Sequence, residues 1–207
     1  MNIKIVERKT RDWANMTGSD LIDHISNDLV NLKDWERDNY LSIAKESGDE
    51  FCDHRAMLKE IAHENWAATG IPVISIDSLP IDDTILLPTD DDDLYSPRIR
   101  SVIESHFTDS DDVVFWDGLN WNFITQEVTV IRYPFALSNA YAIRSNQPHK
   151  IIKMHIHIKR KLFRRIDPGF PLSIRIEHGA SVSVCKKRKT FDPTLPDFDV
   201  LNDLLKD

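Results

Sequence analysis

Four consecutive aspartates, Asp90 to Asp93, stand directly after the apolar run "TILLP" and its threonine and directly before "LYSP". Like charges at this density repel, so the fold or the solvent must supply a compensating cation. Asp90 and Asp92 are two residues apart, which in extended or turn geometry brings their carboxylates to one side, while Asp91 and Asp93 face solvent or cap the following helix. Two hard oxygen donors at a strand end suit Mg²⁺ or Mn²⁺, with phosphate oxygens completing the shell. An EF-hand fails on position, because a loop starting at Asp90 would need glycine at Tyr95 and glutamate at Ser101. An aspartyl phosphatase would need a D-x-D-x-T continuation that is missing. The plain alternative is a solvated acidic loop.

The elements that must position this turn read as alternating strands and helices. "MNIKIVER" opens with a strand, and "TGSDLIDHISNDLVNL" follows as a helix capped by Thr17 or Ser19. A second helix is predicted from Cys52 to Thr69, ending at Gly70. "IPVISI" and "TILLP" read as short strands, the second delivering the chain to the aspartates, and "SPRIRSVIESHF" restarts a helix with Ser96 as cap and Pro97 at its first position. The later runs "DDVVFWDGLNWNFI", "QEVTVIRYPF", "SNAYAIRS" and "PLSIRIEHGASVSV" read as strands, the last alternating through Val182 and Val184. "PHKIIKMHIHIKRKLFRRI" reads as a helix by its length, and the last residues as a mobile segment ending in a short amphipathic turn. This order specifies an α/β sheet fold in one domain.

Composition narrows the function. The 207 residues carry a formal net charge of −8, which argues against nucleic acid as the main partner. The start has no apolar leader, and no apolar run approaches the roughly 20 residues that span a bilayer, so a cytoplasmic location is expected. Cys52 and Cys185 lack metal-ligand or disulfide spacing and are expected to be reduced thiols.

In this context "LLPTDDDDLYSP", "PFALSNAYAIR" and "IEHGASVS", in that order, resemble the motifs of GT-A fold glycosyltransferases, particularly family 2-like and rhamnosyltransferase-like members. The resemblance implies a single-domain Rossmann-like mixed sheet flanked by helices. Its domain would span 1–184, with a nucleotide-binding half at about 1–107, an acceptor half at about 108–184, and a basic then acidic tail at 185–207. It implies transfer of a sugar from a nucleotide-diphosphate sugar to the hydroxyl of a glycan acceptor, in surface glycan synthesis. Asp92 and His178 would hold Mn²⁺ or Mg²⁺, Asp90 would contact the ribose or a metal-bound water, and Asp91 would join the donor site.

Arg8, Arg11 and Arg55 lie where this fold meets the base and diphosphate. Ser138 and Asn139 match the family's acceptor segment, and Trp116, Trp121 and Tyr141 offer an aromatic floor for a sugar ring. Two departures matter. No acidic residue lies between Tyr141 and Arg165, leaving His155, His157 or Asp117 to serve as general base. Ala180 stands where the family often has asparagine. The basic clusters at Lys159–Arg165 and Lys186–Lys189 suit a diphosphate, an anionic acceptor, or a peripheral contact with a membrane or lipid-linked acceptor. The alternatives are a nucleotidyltransferase, for which "TGSD" lies far from Asp90, and a noncatalytic protein whose acidic loop binds Ca²⁺ or a basic partner.

Overall fold

The computed structural model describes residues 1–8, 13–27, 32–131, 139–146 and 163–206. In chain order its strands are β1 (Ile3–Glu7), β2 (Val73–Ser75), β3 (Ile85–Thr89), β4 (Leu94–Tyr95), β5 (Val113–Phe115), β6 (Gly118–Asn122), β7 (Glu127–Ile131), β8 (Tyr141–Arg144), β9 (Arg164–Arg165) and β10 (Ser173–Glu177). The helices are α1 (Gly18–Asn27), α2 (Asp34–Ala68), α3 (Ile99–His106), α4 (Val182–Cys185) and α5 (Phe198–Lys206). No helix among the described residues is long and apolar enough to cross a membrane.

A six-stranded sheet runs β2-β1-β3-β8-β5-β9, and a four-stranded sheet runs β4-β10-β6-β7. Both are mixed: β1 is parallel to β2 and β3, β8 is antiparallel to β3 and β5, and β10 is parallel to β6 but antiparallel to β4. Side chains alternate across a strand, so the four inner strands of the larger sheet, β1, β3, β8 and β5, serve two cores. Ile3, Ile5, Ile85, Leu87, Val114 and Ala142 face the main core, where Ala62 and Trp66 of α2, Ile99 and Ile103 of α3 and Leu201 and Leu205 of α5 meet the smaller sheet. Val6, Leu86, Val113, Phe115, Tyr141 and Ile143 build a second layer on the opposite face.

The chain leaves β1 through α1 and α2 to reach β2 on one side, then returns to β3 on the other side of β1. Connections that depart in opposite directions open a crevice outside the carboxyl ends of the two strands, where α/β sheets hold ligands. Asp90 begins immediately past β3, at that crevice.

Several local expectations hold. Thr17 caps α1 by accepting from the Asp20 N–H at 3.2 Å, while the Asp20 carboxylate accepts from the Thr17 N–H at 3.0 Å. Gly70 stops α2 with φ of 66°, the left-handed conformation glycine adopts without strain.

Others are corrected. The predicted helix from Cys52 is only the second half of α2, which begins at Asp34 and kinks at Ser47 (φ −147°). The kink lies at a Ser-Gly pair, and Gly48 is needed there because a Cβ would sit 2.7 Å from the Cα of Gly18, where α1 meets α2 backbone to backbone. "SVSV" is not a strand: the N–H groups of Val184 and Cys185 both return to the Ser181 carbonyl, closing the helical turn α4. Nor is the tail a separate mobile segment. Phe191 packs with Phe51 at 5.4 Å between ring centroids, and Leu201 and Leu205 enter the main core. The helix read at 151–162 lies outside the described residues.

The docked tail presses closely on Gly179. A Cβ built there would lie 1.9 Å from the backbone oxygen of Asp192, an atom that cannot turn aside as a flexible side chain could. Gly179→Ala is therefore expected to cost about 2 kcal/mol or more of folding free energy by overpacking. Urea denaturation followed by circular dichroism measures it, and an unchanged midpoint would show that the tail docks with room to spare.

Candidate functional site

The acidic turn is clamped from both sides before any functional side chain is considered. Behind it, α2 supplies Trp66, whose indole N–H donates to the Asp93 carbonyl at 2.9 Å. Asn65 donates to the Tyr95 carbonyl and accepts from the Tyr95 N–H, at 3.0 and 2.8 Å. Tyr95 donates its hydroxyl to the Pro88 carbonyl at 2.8 Å, tying the strand after the turn to the strand before it. In front, the Ile176 N–H of β10 donates to Asp93 Oδ1 at 3.3 Å. These contacts hold the four carboxylates in a fixed fan.

Each aspartate then has a distinct role. Asp90 pairs with Arg8, which follows β1, at 3.1 Å, joining the carboxyl ends of β1 and β3. Arg55 reaches across from α2 and forks over the next two, its Nη2 2.6 Å from Asp91 Oδ1 and its Nη1 2.9 Å from Asp92 Oδ2. Asp92 Oδ2 also meets His178 Nε2 at 2.8 Å. Asp93 turns inward, and its Oδ2 has no hydrogen-bond partner among the described residues.

His178 stands just beyond β10, where the chain turns back. Its backbone N–H donates to Ser181 Oγ at 2.9 Å, and the Ala180 N–H donates to its Nδ1 at 3.2 Å. Because Nδ1 accepts that bond, the network assigns the proton of the neutral ring to Nε2, which donates to Asp92. His54 of α2 lies behind it, with Nε2 3.3 Å from the same Nδ1. The ring of Phe191 covers His54 at 5.2 Å.

Burial divides these groups electrostatically. It works to raise the Asp92 carboxyl, but the His178 hydrogen bond and the Arg55 charge overcome it and hold the group well below the usual carboxylate range. Asp91 is pushed up to about 6 by burial against the pull of Arg55, with Asp92 and Asp90 repelling its charge. Asp93 is driven well above the ordinary value by burial and the same two neighbours. Burial lowers His178 despite Asp92, and burial with His178 and Arg55 nearby takes His54 down to about 3, so both rings are neutral near pH 7.

The turn thus brings together Arg8, Arg55, Asp90, Asp91, Asp92 and His178 from the sequence-based expectations. It does not bring in the acceptor residues. Trp116 is 1% exposed and donates its indole N–H to Ser173 Oγ at 2.9 Å, while Trp121 packs in the same core. Tyr141 is wholly buried in the second layer, and Asn139, also buried, donates to the Ile174 carbonyl. These side chains are core, and the expected aromatic floor does not form. Asp117 pairs with Arg165 at 2.8 Å. Ile174 lies opposite Leu119, so Asp117 falls level with Leu172 while His178 falls level with Phe123. At about 3.3 Å per residue this places Asp117 some 20 Å from the histidine along the sheet, too far to act as its base. Arg11, Ser138, His155 and His157 lie outside the described residues. His54, Asn65 and Trp66 were not anticipated; their only sequence signal was helical spacing on α2.

A carboxylate and a neutral imidazole are donor types that divalent cations accept. A carboxylate oxygen and an imidazole nitrogen converge, and a cationic atom, Nη1 of Arg55, already lies 2.9 and 3.3 Å from them. No group of three or more His, Cys, Asp or Glu side chains among the described residues is arranged to hold a metal. Comparison with protein-family models, with curated proteins and with solved structures found no match.

The inward Asp93 gives a test of the electrostatics. Its folded pKa lies above the unfolded value of about 3.9, so its contribution to stability is complete only below that pH and is lost as pH rises toward the folded pKa. Asn avoids this loss, and like the protonated acid it leaves one buried donor to place. Asp93→Asn in EDTA should therefore exceed wild type in stability at pH 7 by on the order of 1 kcal/mol. The two should converge near pH 4, and thermal unfolding across that range would refute the inward-carboxyl reading if the variant were no more stable at pH 7.

Proposed function

We propose that the chain is a metal-dependent glycosyltransferase of the GT-A type, moving a sugar from a nucleotide-diphosphate sugar to an acceptor hydroxyl in glycan synthesis. The observation that carries this reading is the meeting of Asp92 and His178, 86 positions apart, at 2.8 Å beside the crevice at the carboxyl ends of β1 and β3. A mixed sheet whose third strand runs straight into the acidic turn supports the GT-A assignment, and the resemblance of "LLPTDDDDLYSP" and "IEHGASVS" supports it independently.

In this reading Asp92 Oδ2 and His178 Nε2 hold Mn²⁺ or Mg²⁺, which when bound supplies positive charge to the departing diphosphate. The Nε2 proton that now goes to Asp92 has to leave before the ring nitrogen can act as a ligand. Arg8 and Arg55 supply fixed positive charge on either side of the turn, and their aspartate partners orient them before a substrate arrives. The part of the chain that carries the acceptor's base is outside this set, because Asp117 is remote.

The test is donor hydrolysis. With Mn²⁺ and a panel of UDP-, GDP- and dTDP-sugars, wild type should slowly release nucleoside diphosphate, and Asp92→Asn and His178→Ala should each lower that rate by about 100-fold while keeping the wild-type circular dichroism spectrum. Release of pyrophosphate from a nucleoside triphosphate would instead identify a nucleotidyltransferase, and Ca²⁺ binding without nucleotide affinity would identify a noncatalytic module.

A further inference from the structure

The place between the two candidate ligands is already taken by a side chain of the protein. Arg55 is 7% exposed, and its guanidinium divides between Asp91 and Asp92 while Nη1 also lies 3.3 Å from His178 Nε2. The solvent side of the cluster belongs to the carboxylates, whose side chains keep 11–15% of their exposure at Asp90, Asp91 and Asp92. An arriving ligand therefore meets negative charge first, with the arginine behind it. A divalent cation at Asp92 and Arg55 Nη1 at its present position would be like charges in contact at a site shielded from water, so one must yield. The fork geometry provides the way. Nη2 holds Asp91 at 2.6 Å, so the guanidinium can pivot about that bond and free Nη1 without losing its anchor.

We propose that Arg55 is an internal stand-in for the divalent cation, which cedes Asp92 and His178 to the incoming metal and turns its freed Nη1 to a phosphate oxygen of the diphosphate. The inference rests on the glycosyltransferase reading for the identity of the ligand, but the competition between arginine and metal is separable from it. Arg55 makes the cation and the diphosphate bind as a pair. Metal alone must displace a paired guanidinium that gains nothing in exchange, whereas metal with diphosphate gives it a new anionic partner. By linkage each ligand then raises the affinity for the other by the same factor.

The experiment is a titration with Mn²⁺, alone and with saturating UDP, GDP or dTDP in turn, reading free Mn²⁺ by electron paramagnetic resonance. Wild type should bind Mn²⁺ alone weakly and bind it about tenfold or more tightly with the matching diphosphate. Arg55→Gln should bind Mn²⁺ alone about tenfold more tightly than wild type and lose most of the diphosphate enhancement, while Arg55→Lys, which keeps the charge, should stay as weak as wild type without nucleotide. Since Arg55→Gln leaves Asp91 and Asp92 buried without their cation, the double variant Arg55→Gln/Asp91→Asn serves where the single one does not fold. Equal affinity for Mn²⁺ alone in wild type and the folded glutamine variants would overturn the exchange, and diphosphate-enhanced binding in wild type would then still support the transferase. Tighter binding of Mn²⁺ alone in the variants, with no response to any diphosphate, would keep the competition and remove the nucleotide reading. Absence of Mn²⁺ binding in all proteins would overturn both.

Discussion

The fork of Arg55 over Asp91 and Asp92 is the interaction on which the acidic turn depends. Four adjacent aspartates, two of them buried and the other two partly so, would be untenable in a medium of low dielectric without a compensating charge. An ion pair of this kind contributes little net stability, because removing the guanidinium from water offsets much of the attraction it gains. Its influence is on geometry instead. A planar fork that must satisfy two carboxylates at once admits few orientations, so it fixes the turn relative to α2 and, through α2, relative to both sheets.

That dependence explains the length and the kink of α2. Its second half must carry His54, Arg55, Asn65 and Trp66 along the turn, a run of about three helical turns in which His54 backs the His178 ring, Arg55 reaches the carboxylates and the last two hold the backbone. Its first half serves a different neighbour, α1, and the approach of Gly18 to Gly48 requires backbone contact there. The Ser47 kink separates the two tasks, so the packing of α1 does not dictate the direction of the half that faces the aspartates.

Much of this was legible locally. The strand before the aspartates, the Thr17 cap and the Gly70 stop each follow from residues within a few positions of one another, and the α/β character follows from their alternation. What was not legible is non-local. Periodicity in "CDHRAMLKE" places His54 and Arg55 on a helix but does not say that they face residues 91, 92 and 178. Trp116, Trp121 and Tyr141 look alike whether they line a pocket or fill a core, and here the demand of two stacked sheets for large apolar volume decided it. "SVSV" alternates as a strand does, yet a four-residue alternation is outweighed by one turn whose N–H groups find the Ser181 carbonyl. The charged tail gave no sign that Phe191, Leu201 and Leu205 would pay for its docking.

The docked tail also determines the character of the site. Phe191 and the backbone at Asp192 close the side of the cluster that holds His54 and Gly179, while Asp90 and Asp92 keep partial access to solvent on the other. Burial penalises charge on His178 and on Asp92 alike, but Arg55 repels a charged imidazole and attracts the carboxylate, so His178 stays neutral beside an ionised Asp92. A neutral imidazole and an anionic oxygen form a mixed donor pair that accepts a cation readily, whereas a protonated imidazole would repel one. The closed side lowers the local dielectric around Arg55, which strengthens its hold on the aspartates and equally strengthens the repulsion it would feel from a second cation. The ordering of the last segment of the chain therefore sets how sharply arginine and metal exclude each other at a turn about a hundred residues earlier in sequence, a coupling that follows from solvent exclusion.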